Sequence, residues 1–277
     1  MLRSFLWSHM ASQYVNQQNQ TAQSIRGIMS PRSMGPTKVN MNNAKSELKL
    51  LGPQEKHWFC GGDRSVAMAA ELLQQGKVIA IPTDTIYGLA SLAVSSLAVQ
   101  RLYGIKRRDG SKPLAICLSN VKEVGTWGVL DDVPSGMLEQ LLPGPYTICL
   151  RRTSVLPQTF NPGLETVGIR VPDSKFVRSV AQIVGPLALT SANISSQPSS
   201  LHPDEFRDLW PELDGIFHEQ SNSSKQLDRR RVGSTVVDLS RPGYYRIVRQ
   251  GIAANIIVGT LNKYGLKKIT DNVCATA

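Results

Sequence analysis

Three cations stand together at Lys106, Arg107 and Arg108, and Lys112 follows four residues after Arg108. Arginine offers a planar fork of N–H donors and lysine a compact charge, a combination suited to phosphate. The same residues end an apolar periodic stretch, and cations at a helix C-terminus are favoured by the macrodipole and commonly solvated. Taken alone, the cluster is equally a phosphate clamp or a solvated helix end. Gly104, Gly110 and Lys112 do not match the Gly-x-x-x-x-Gly-Lys-[Ser/Thr] spacing, which rejects a Walker-type nucleotide loop.

Thr190-Ser191-Ala192-Asn193 closes an apolar run. Serine and asparagine there are either ordinary turn residues or groups for a polar ligand at a strand end. Thr83 and Thr85, in Pro82-Thr83-Asp84-Thr85-Ile86-Tyr87-Gly88, either cap a turn or hold a small amino acid. Arg170 lies between Ile169 and Val171 in an apolar segment. An isolated buried charge is very costly, so Arg170 must be paired or bind an anion.

Composition narrows the setting of these groups. Hydrophobic residues make up 41% and charged residues 19% of 277, as in a globular protein. No apolar run approaches the roughly 18–20 residues of a transmembrane helix. The net charge of +10 is divided: residues 1–50 hold six cations against the single acid Glu47, and the rest holds 25 against 20. That mild surplus implies an anion site rather than a surface wrapped around nucleic acid. The four cysteines are scattered, and Cys117 and Cys149 sit in apolar runs where a thiol acts as a small buried hydrophobe. Reduced thiols in an intracellular compartment are expected, and the dispersed histidines do not fit a zinc site.

The elements that must position the polar groups follow from periodicity. Val66, Ala69, Ala70 and Leu73 predict a helix ended by Gly76, and Ser96 is expected to cap a second helix running through Tyr103. Further helices are predicted over 136–142, 174–184, 204–209 and 253–264. In the 174–184 helix, Phe176, Val177, Val180 and Val184 share a face. Strands are predicted at 78–81, 114–118, 146–150, 167–171, 187–190, 234–239 and 245–248. Strands and helices without regular βαβ spacing indicate an α/β fold, a single-domain twisted mixed sheet with flanking helices. Residues 220–233 read as an exposed loop. Residues 1–50, basic, serine-containing and nearly acid-free, read as a disordered extension, either a mitochondrial transit peptide or a segment without an address. Met10, Met29, Met34 and Met41 offer downstream starts for a cytoplasmic form. The catalytic domain is expected over 60–266, with 267–277 as a tail.

In order along the chain, several segments together resemble the YrdC family of threonylcarbamoyl-AMP synthases. They are Pro-Thr-Asp-Thr-Ile-Tyr-Gly-Leu (82–89), Lys-x-Arg (106–108) with Lys-Pro-Leu (112–114), and Pro-Gly-Pro-x-Thr (143–147). Gly-Ile-Arg-Val-Pro (168–172), Thr-Ser-Ala-Asn-x-Ser (190–195), Ser-Thr-Val-Val-Asp (234–238) and Arg-x-Gly (249–251) complete the set. The resemblance runs from about Ser65 to Leu266, and Lys-x-Arg with Ser-x-Asn is its most specific part.

The resemblance implies a YrdC-like sheet around a large basic cavity. It also implies an enzyme, a nucleotidyltransferase that condenses L-threonine, bicarbonate and ATP into threonylcarbamoyl-AMP and pyrophosphate. A separate tRNA threonylcarbamoyl transferase complex would pass the group to the adenosine beside the anticodon of ANN-decoding tRNAs, and direct tRNA binding is allowed but not required. Carried over by residue, Thr85, Arg170 and Ser234 face threonine, and Arg108, Lys112, Thr166, Ser191, Asn193 and Arg249 surround ATP. Lys106 and Arg108 are catalytic in the electrostatic sense, with Mg2+ bridging phosphate oxygens. Lys112 replaces a common Asn, and Cys117 replaces a His that contacts threonine in some members, leaving Cys117 to line the pocket. The chain resembles the single-domain members rather than those with an added C-terminal domain. The competing readings are a non-enzymatic RNA-binding module using the same cavity, and a carbamoyl-transfer domain of a hydrogenase-maturation protein. The first is disfavoured by 6% aromatics without a stacking pattern, the second by missing acylphosphatase and zinc-finger segments.

Overall fold

Period-two burial in the strands sorts the core into two layers. In the run from Val78 into β2 (Ile79–Ile81), Val78 and Ala80 join one apolar cluster while Ile79 and Ile81 join another. The same division separates Ile116 from Cys117 in β4 (Ala115–Cys117) and Ala188 from Leu187 and Leu189 in β7 (Leu187–Ser191). Successive strand side chains point to opposite faces, so a strand apolar on both faces must be covered on both. The computed structural model describes residues 56–107, 113–194, 197–219 and 231–269. The 1–50 extension, Arg108, Lys112 and residues 220–230 lie outside them.

Among the described residues the remaining strands are β1 (His57–Cys60), β3 (Gly88–Leu92), β5 (Tyr146–Arg151), β6 (Thr166–Arg170), β8 (Gly215–Glu219), β9 (Thr235–Asp238), β10 (Tyr244–Arg249) and β11 (Lys267–Lys268). They form one mixed sheet in the order β1-β8-β2-β3-β7-β4-β6-β5-β9-β10-β11. The central β7 runs antiparallel to both β3 and β4, whereas β4 and β6 are parallel. Helices α1 (Gly62–Gln74) and α5 (Lys175–Val184) pack on one face, through Ala69, Leu73, Val177 and Val180. Burying each of these valines contributes about 1.5–3 kcal/mol. On the other face lie α2 (Ser96–Ile105), α3 (Val124–Trp127), α4 (Met137–Leu141) and α6 (Ala254–Lys263).

The twisted mixed sheet agrees with the expectation, and the expected helices and strands are present with five differences, one of them the single turn α3, which was not expected. Ser95, not Ser96, caps α2, its Oγ accepting from Ala98 N at 3.4 Å, while Ser96 Oγ pairs with Thr159 Oγ1 at 2.6 Å. Pro203–Glu212 is a 3-10 segment rather than an α-helix, interrupted at Phe206 and containing Pro211, which has no N–H to donate. β1, β3 and β8 were not expected as strands; Gly-Leu-Ala-Ser-Leu in β3 has no β-branched residue to mark it. The sheet also reaches beyond 60–266, to His57 at one edge and Lys268 at the other, because backbone pairing with β8 and β10 recruits both short segments. No helix among the described residues is long and apolar enough to cross a membrane.

Candidate active site

The face carrying α1 and α5 is only partly covered by them. Where the helices stop, alternate residues of β4, β6, β5 and β9 (Ala115, Gly168, Thr147, Cys149, Val236) line a cavity of about 540 Å3. Gly88 and Gly168 keep its floor low: a Cβ on Gly88 would fall 2.7 Å from Leu189 Cδ1. The ends of β3, β7 and β10 and the end of α2 add Tyr87, Ser191, Asn193, Arg249 and Lys106. Lys106, Arg170 and Arg249 all line this space, and no carboxylate does among the described residues. Six serine and threonine residues, Thr83, Thr147, Thr166, Thr190, Ser191 and Ser234, line it too.

Lys106 turns inward because the chain bends at the end of α2. Arg107 takes a left-handed φ of 46° and is exposed, whereas Lys106 is 2% exposed. Lys106 Nζ donates to the carbonyl oxygens of Ser191 at 2.6 Å and Asn193 at 2.5 Å, with Asn193 Oδ1 at 3.2 Å and Ser191 Oγ at 3.4 Å. An ammonium has three protons, so this ring of oxygens engages it fully. Asn193 Nδ2 donates in turn to the carbonyls of Ile194 at 2.9 Å and Gln197 at 2.7 Å. Lys106 and the Ser-x-Asn segment therefore meet as one polar knot in the cavity wall, with a buried positive charge at its centre.

Arg170, at the end of β6, has the partner its burial requires. Nη2 donates to Asp84 Oδ1 at 2.7 Å and to Thr85 Oγ1 at 3.2 Å, and both members of the ion pair are under one-tenth exposed. Asp84 Oδ2 also accepts from Asp173 N at 3.0 Å. Arg170 is thus paired by the protein, so its burial does not by itself require a bound anion, although it still lines the cavity. Its Nε is buried with no hydrogen-bond partner among the described residues. Thr83 takes the turn-capping role: its Oγ1 donates to Ile86 O at 2.7 Å and accepts from Thr85 N at 3.1 Å. Thr83 lines the cavity; Thr85 is buried behind it and reaches the site through Arg170.

Arg249 and Ser234 form the opposite wall. Arg249 Nε and Nη2 donate to Ser234 O at 3.2 and 2.9 Å, and Nη2 also donates to Ser234 Oγ at 3.1 Å. This close approach explains the glycine of Arg-x-Gly, since a Cβ on Gly251 would overlap the backbone of Gly233 and Ser234. Burial, and secondly the charge of Arg170, hold the Arg249 guanidinium below its ordinary pKa. Two guanidinium groups repelling each other across a space where no described residue places an acid make that space a receptor for an anion.

The two expected buried thiols separate. Cys117 does not line the cavity; it is fully buried in the apolar cluster with Val177 and Leu187, two residues along β4 from the cavity-lining Ala115. Cys149, expected as a buried hydrophobe, lines the cavity and is half-buried, because β5 continues onto the part of the face without a helix. Burial pushes both thiols up to about 12, so neither is a nucleophile near neutrality. Thr166, Ser191, Asn193, Arg249, Arg170, Ser234 and Lys106 are brought together around the one cavity. Thr147, Gly168 and Asp84 are the functional candidates that residue-by-residue reading missed. Thr147 and Gly168 were visible only as parts of Pro-Gly-Pro-x-Thr and Gly-Ile-Arg-Val-Pro, and Asp84 as the acid between two threonines.

A family model named for Sua5, YciO and YrdC, with the description "Telomere recombination", matches residues 71–251. The chain belongs to the Sua5/YciO/YrdC family. Within this family it is 45% identical to the threonylcarbamoyl-AMP synthase of Homo sapiens over 221 residues, 79% of this chain and 77% of the human one. It is 45% identical to the threonylcarbamoyl-AMP synthase of Bos taurus over 207 residues, 74% of this chain and 75% of that one. The structure of P. abyssi Sua5 complexed with L-threonine matches with a TM-score of 0.65 at 26% identity, covering 77% of this chain and 62% of that chain. This chain therefore spans less than two thirds of that Sua5. YciO of E. coli, at 23% identity, shares the fold with a TM-score of 0.62 over 71% of this chain and 95% of that one.

Proposed function

We propose that this chain is a threonylcarbamoyl-AMP synthase that works in the cavity between Lys106, Arg170 and Arg249. The observation that carries the reading is that cavity: among the described residues it is lined by two buried cations, Lys106 and Arg170, by Arg249 and by six serine and threonine hydroxyls, with no carboxylate, around about 540 Å3. Such a lining suits a polyphosphate beside an amino-acid carboxylate. Arg170, Ser234 and, through Arg170, Thr85 are assigned to threonine. Ser191, Asn193, Thr166 and Arg249, with Arg108 and Lys112, are assigned to ATP. Residues 1–50 are read as a mitochondrial address, with a cytoplasmic form from a later start.

In this reading the threonine amine attacks carbon dioxide released from bicarbonate, an N–C bond forms, and the amine loses a proton to give a carbamate. A carbamate oxygen then attacks the α-phosphorus of ATP, and the bond to the pyrophosphate oxygen breaks. The chain's part is to hold carbamate and phosphate in line and to stabilise charge on the phosphoryl oxygens. Lys106 acts by its field and by keeping the Ser191–Asn193 turn in shape, since carbonyl oxygens already engage its protons. Among the described residues the lining offers hydroxyls but no carboxylate for Mg2+, so the ion would enter with the phosphates and would offset their charge. The product is intended for a tRNA-modifying transferase.

The test is mass spectrometry of the purified full chain with L-threonine, bicarbonate and ATP. Threonylcarbamoyl-AMP and equimolar pyrophosphate are expected, and both are lost in Arg108→Ala and Asn193→Ala variants that retain the folded circular-dichroism spectrum. Absence of product from the parent chain would overturn the function. Full activity in both variants would overturn the residue assignment.

A further inference from the structure

Ser234 alone cannot decide where its hydroxyl proton points. Its Oγ accepts from Arg249 Nη2 at 3.1 Å and lies 2.7 Å from Thr147 Oγ1, in a pair where either oxygen can be the donor. Both hydroxyls line the cavity, and both residues are buried. Only one of the two protons lies between the oxygens. If Thr147 donates, Ser234 keeps an O–H to offer; if Ser234 donates, Thr147 does. Either way the pair turns one O–H donor toward the cavity, beside the Arg249 guanidinium. Donation from Arg249 into Ser234 strengthens that donor, because hydrogen bonds in a chain polarise one another.

The rotamer of Thr147 is set from below. β5 lies beside β6, and the Thr147 methyl sits over Gly168, where a Cβ would fall 2.9 Å from Thr147 Cγ2. A threonine has three staggered choices for two heavy substituents. With the methyl in the space left by Gly168, Oγ1 is the substituent facing β9 and Ser234. Thr147 also pairs across strands with Val236, two residues from Ser234, which keeps the two hydroxyls in register.

We infer that Thr147 is a positioning residue for the carboxylate of the amino-acid substrate: seated on Gly168, it fixes the Ser234 hydroxyl, which Arg249 polarises by donating to it, so that the pair presents one O–H to a carboxylate oxygen. The inference rests on the cavity being the threonine site. It adds two residues, Thr147 and Gly168, to that site and gives each a distinct task.

Three variants and their combination test it, with KM for threonine and KM for ATP measured separately through pyrophosphate release. Thr147→Val keeps the shape and the methyl but removes the oxygen, and is expected to raise KM for threonine roughly tenfold, the cost of one hydrogen bond to a charged group. Its KM for ATP stays within twofold. Thr147→Ser restores the oxygen and brings KM for threonine back to within about threefold of the parent chain. Gly168→Ala pushes the Thr147 methyl away and raises KM for threonine, whereas Gly168→Ala combined with Thr147→Ser, which has no methyl to displace, is close to Thr147→Ser alone. An unchanged threonine KM in Thr147→Val overturns the inference, as does an equal rise in both KM values with a lowered melting temperature, which marks a purely structural role. A double variant as impaired as Gly168→Ala overturns the Gly168 part. If the parent chain makes no threonylcarbamoyl-AMP, the underlying reading fails instead, and the two failures are distinct.

Discussion

The loop between β2 and β3 separates two concavities of opposite charge. Among the described residues, on one side is the cavity with Lys106, Arg170 and Arg249 and no acid; on the other is a hollow of about 320 Å3 lined by Asp84, Asp173 and Glu219 against one cation, Lys175. Thr83 lines both. The Asp84–Arg170 pair crosses from the acidic side to the basic one, so Arg170 is anchored from behind and the cavity keeps its positive lining. Placing the counter-charge outside the cavity is what reconciles a buried arginine with a receptor for anions. An acid inside would satisfy Arg170 equally well and would repel the ligand.

The largest effect should come from breaking the bridge between the two sides. Asp84→Ala leaves a buried guanidinium without its partner, and loss of about 3–5 kcal/mol is expected in urea unfolding. Arg170→Met combined with Asp84→Ala removes both charges and should recover much of that stability while remaining unable to bind threonine. Next, Gly251→Ala forces apart the backbone that holds Arg249 on Ser234. A shift on the order of 1 Å there should cost roughly a hundredfold in pyrophosphate release, with the acidic hollow untouched.

Lys106→Met tests the basic side alone. It leaves the carbonyls of Ser191 and Asn193 without their donor, and about 1–3 kcal/mol of stability should be lost, together with a raised KM for ATP. The smallest effect sharpens the comparison through the thiols, one beside each concavity. Burial and Glu219 push Cys60 up to about 12, and burial pushes Cys149 to about 12 as well. Both stay protonated below that pH, so alkylation by iodoacetamide at pH 8 should be slow and should quicken toward pH 10. In a Cys274→Ser background, ATP with threonine should slow alkylation of Cys149 and leave that of Cys60 unchanged.

Most of the helices were legible from their apolar spacing. Phe176, Val177, Val180 and Val184 mark α5, which packs Val177 and Val180 fully into the core. The strands that escaped were those whose residues do not look like strands. β3 is built from Gly, Ala, Ser and Leu, and its small residues leave room on the cavity face, where Gly88 lies against Leu189. β1 and β11 are short edge segments that become strands only by pairing with β8 and β10. Cys117 and Cys149 show the same limit inside the site. Both follow Thr-Ile or Ala-Ile and precede Leu, yet one lies under a helix and the other beside the cavity.

The sequence by itself determined which chemistry is available: the order of the cations, the hydroxyls at strand ends, the glycines that permit close backbone approach, and family membership. Strand periodicity further assigned residues to one face or the other. Only the tertiary structure decided which part of a face the helices leave bare, and therefore which alternate residues line a cavity. It also decided the partners, because Asp84 meets Arg170 across 86 residues and Lys106 meets Asn193 across 87. Burial makes such partners obligatory without naming them, since the cost of an unpaired charge depends on what surrounds it rather than on what precedes it in the chain.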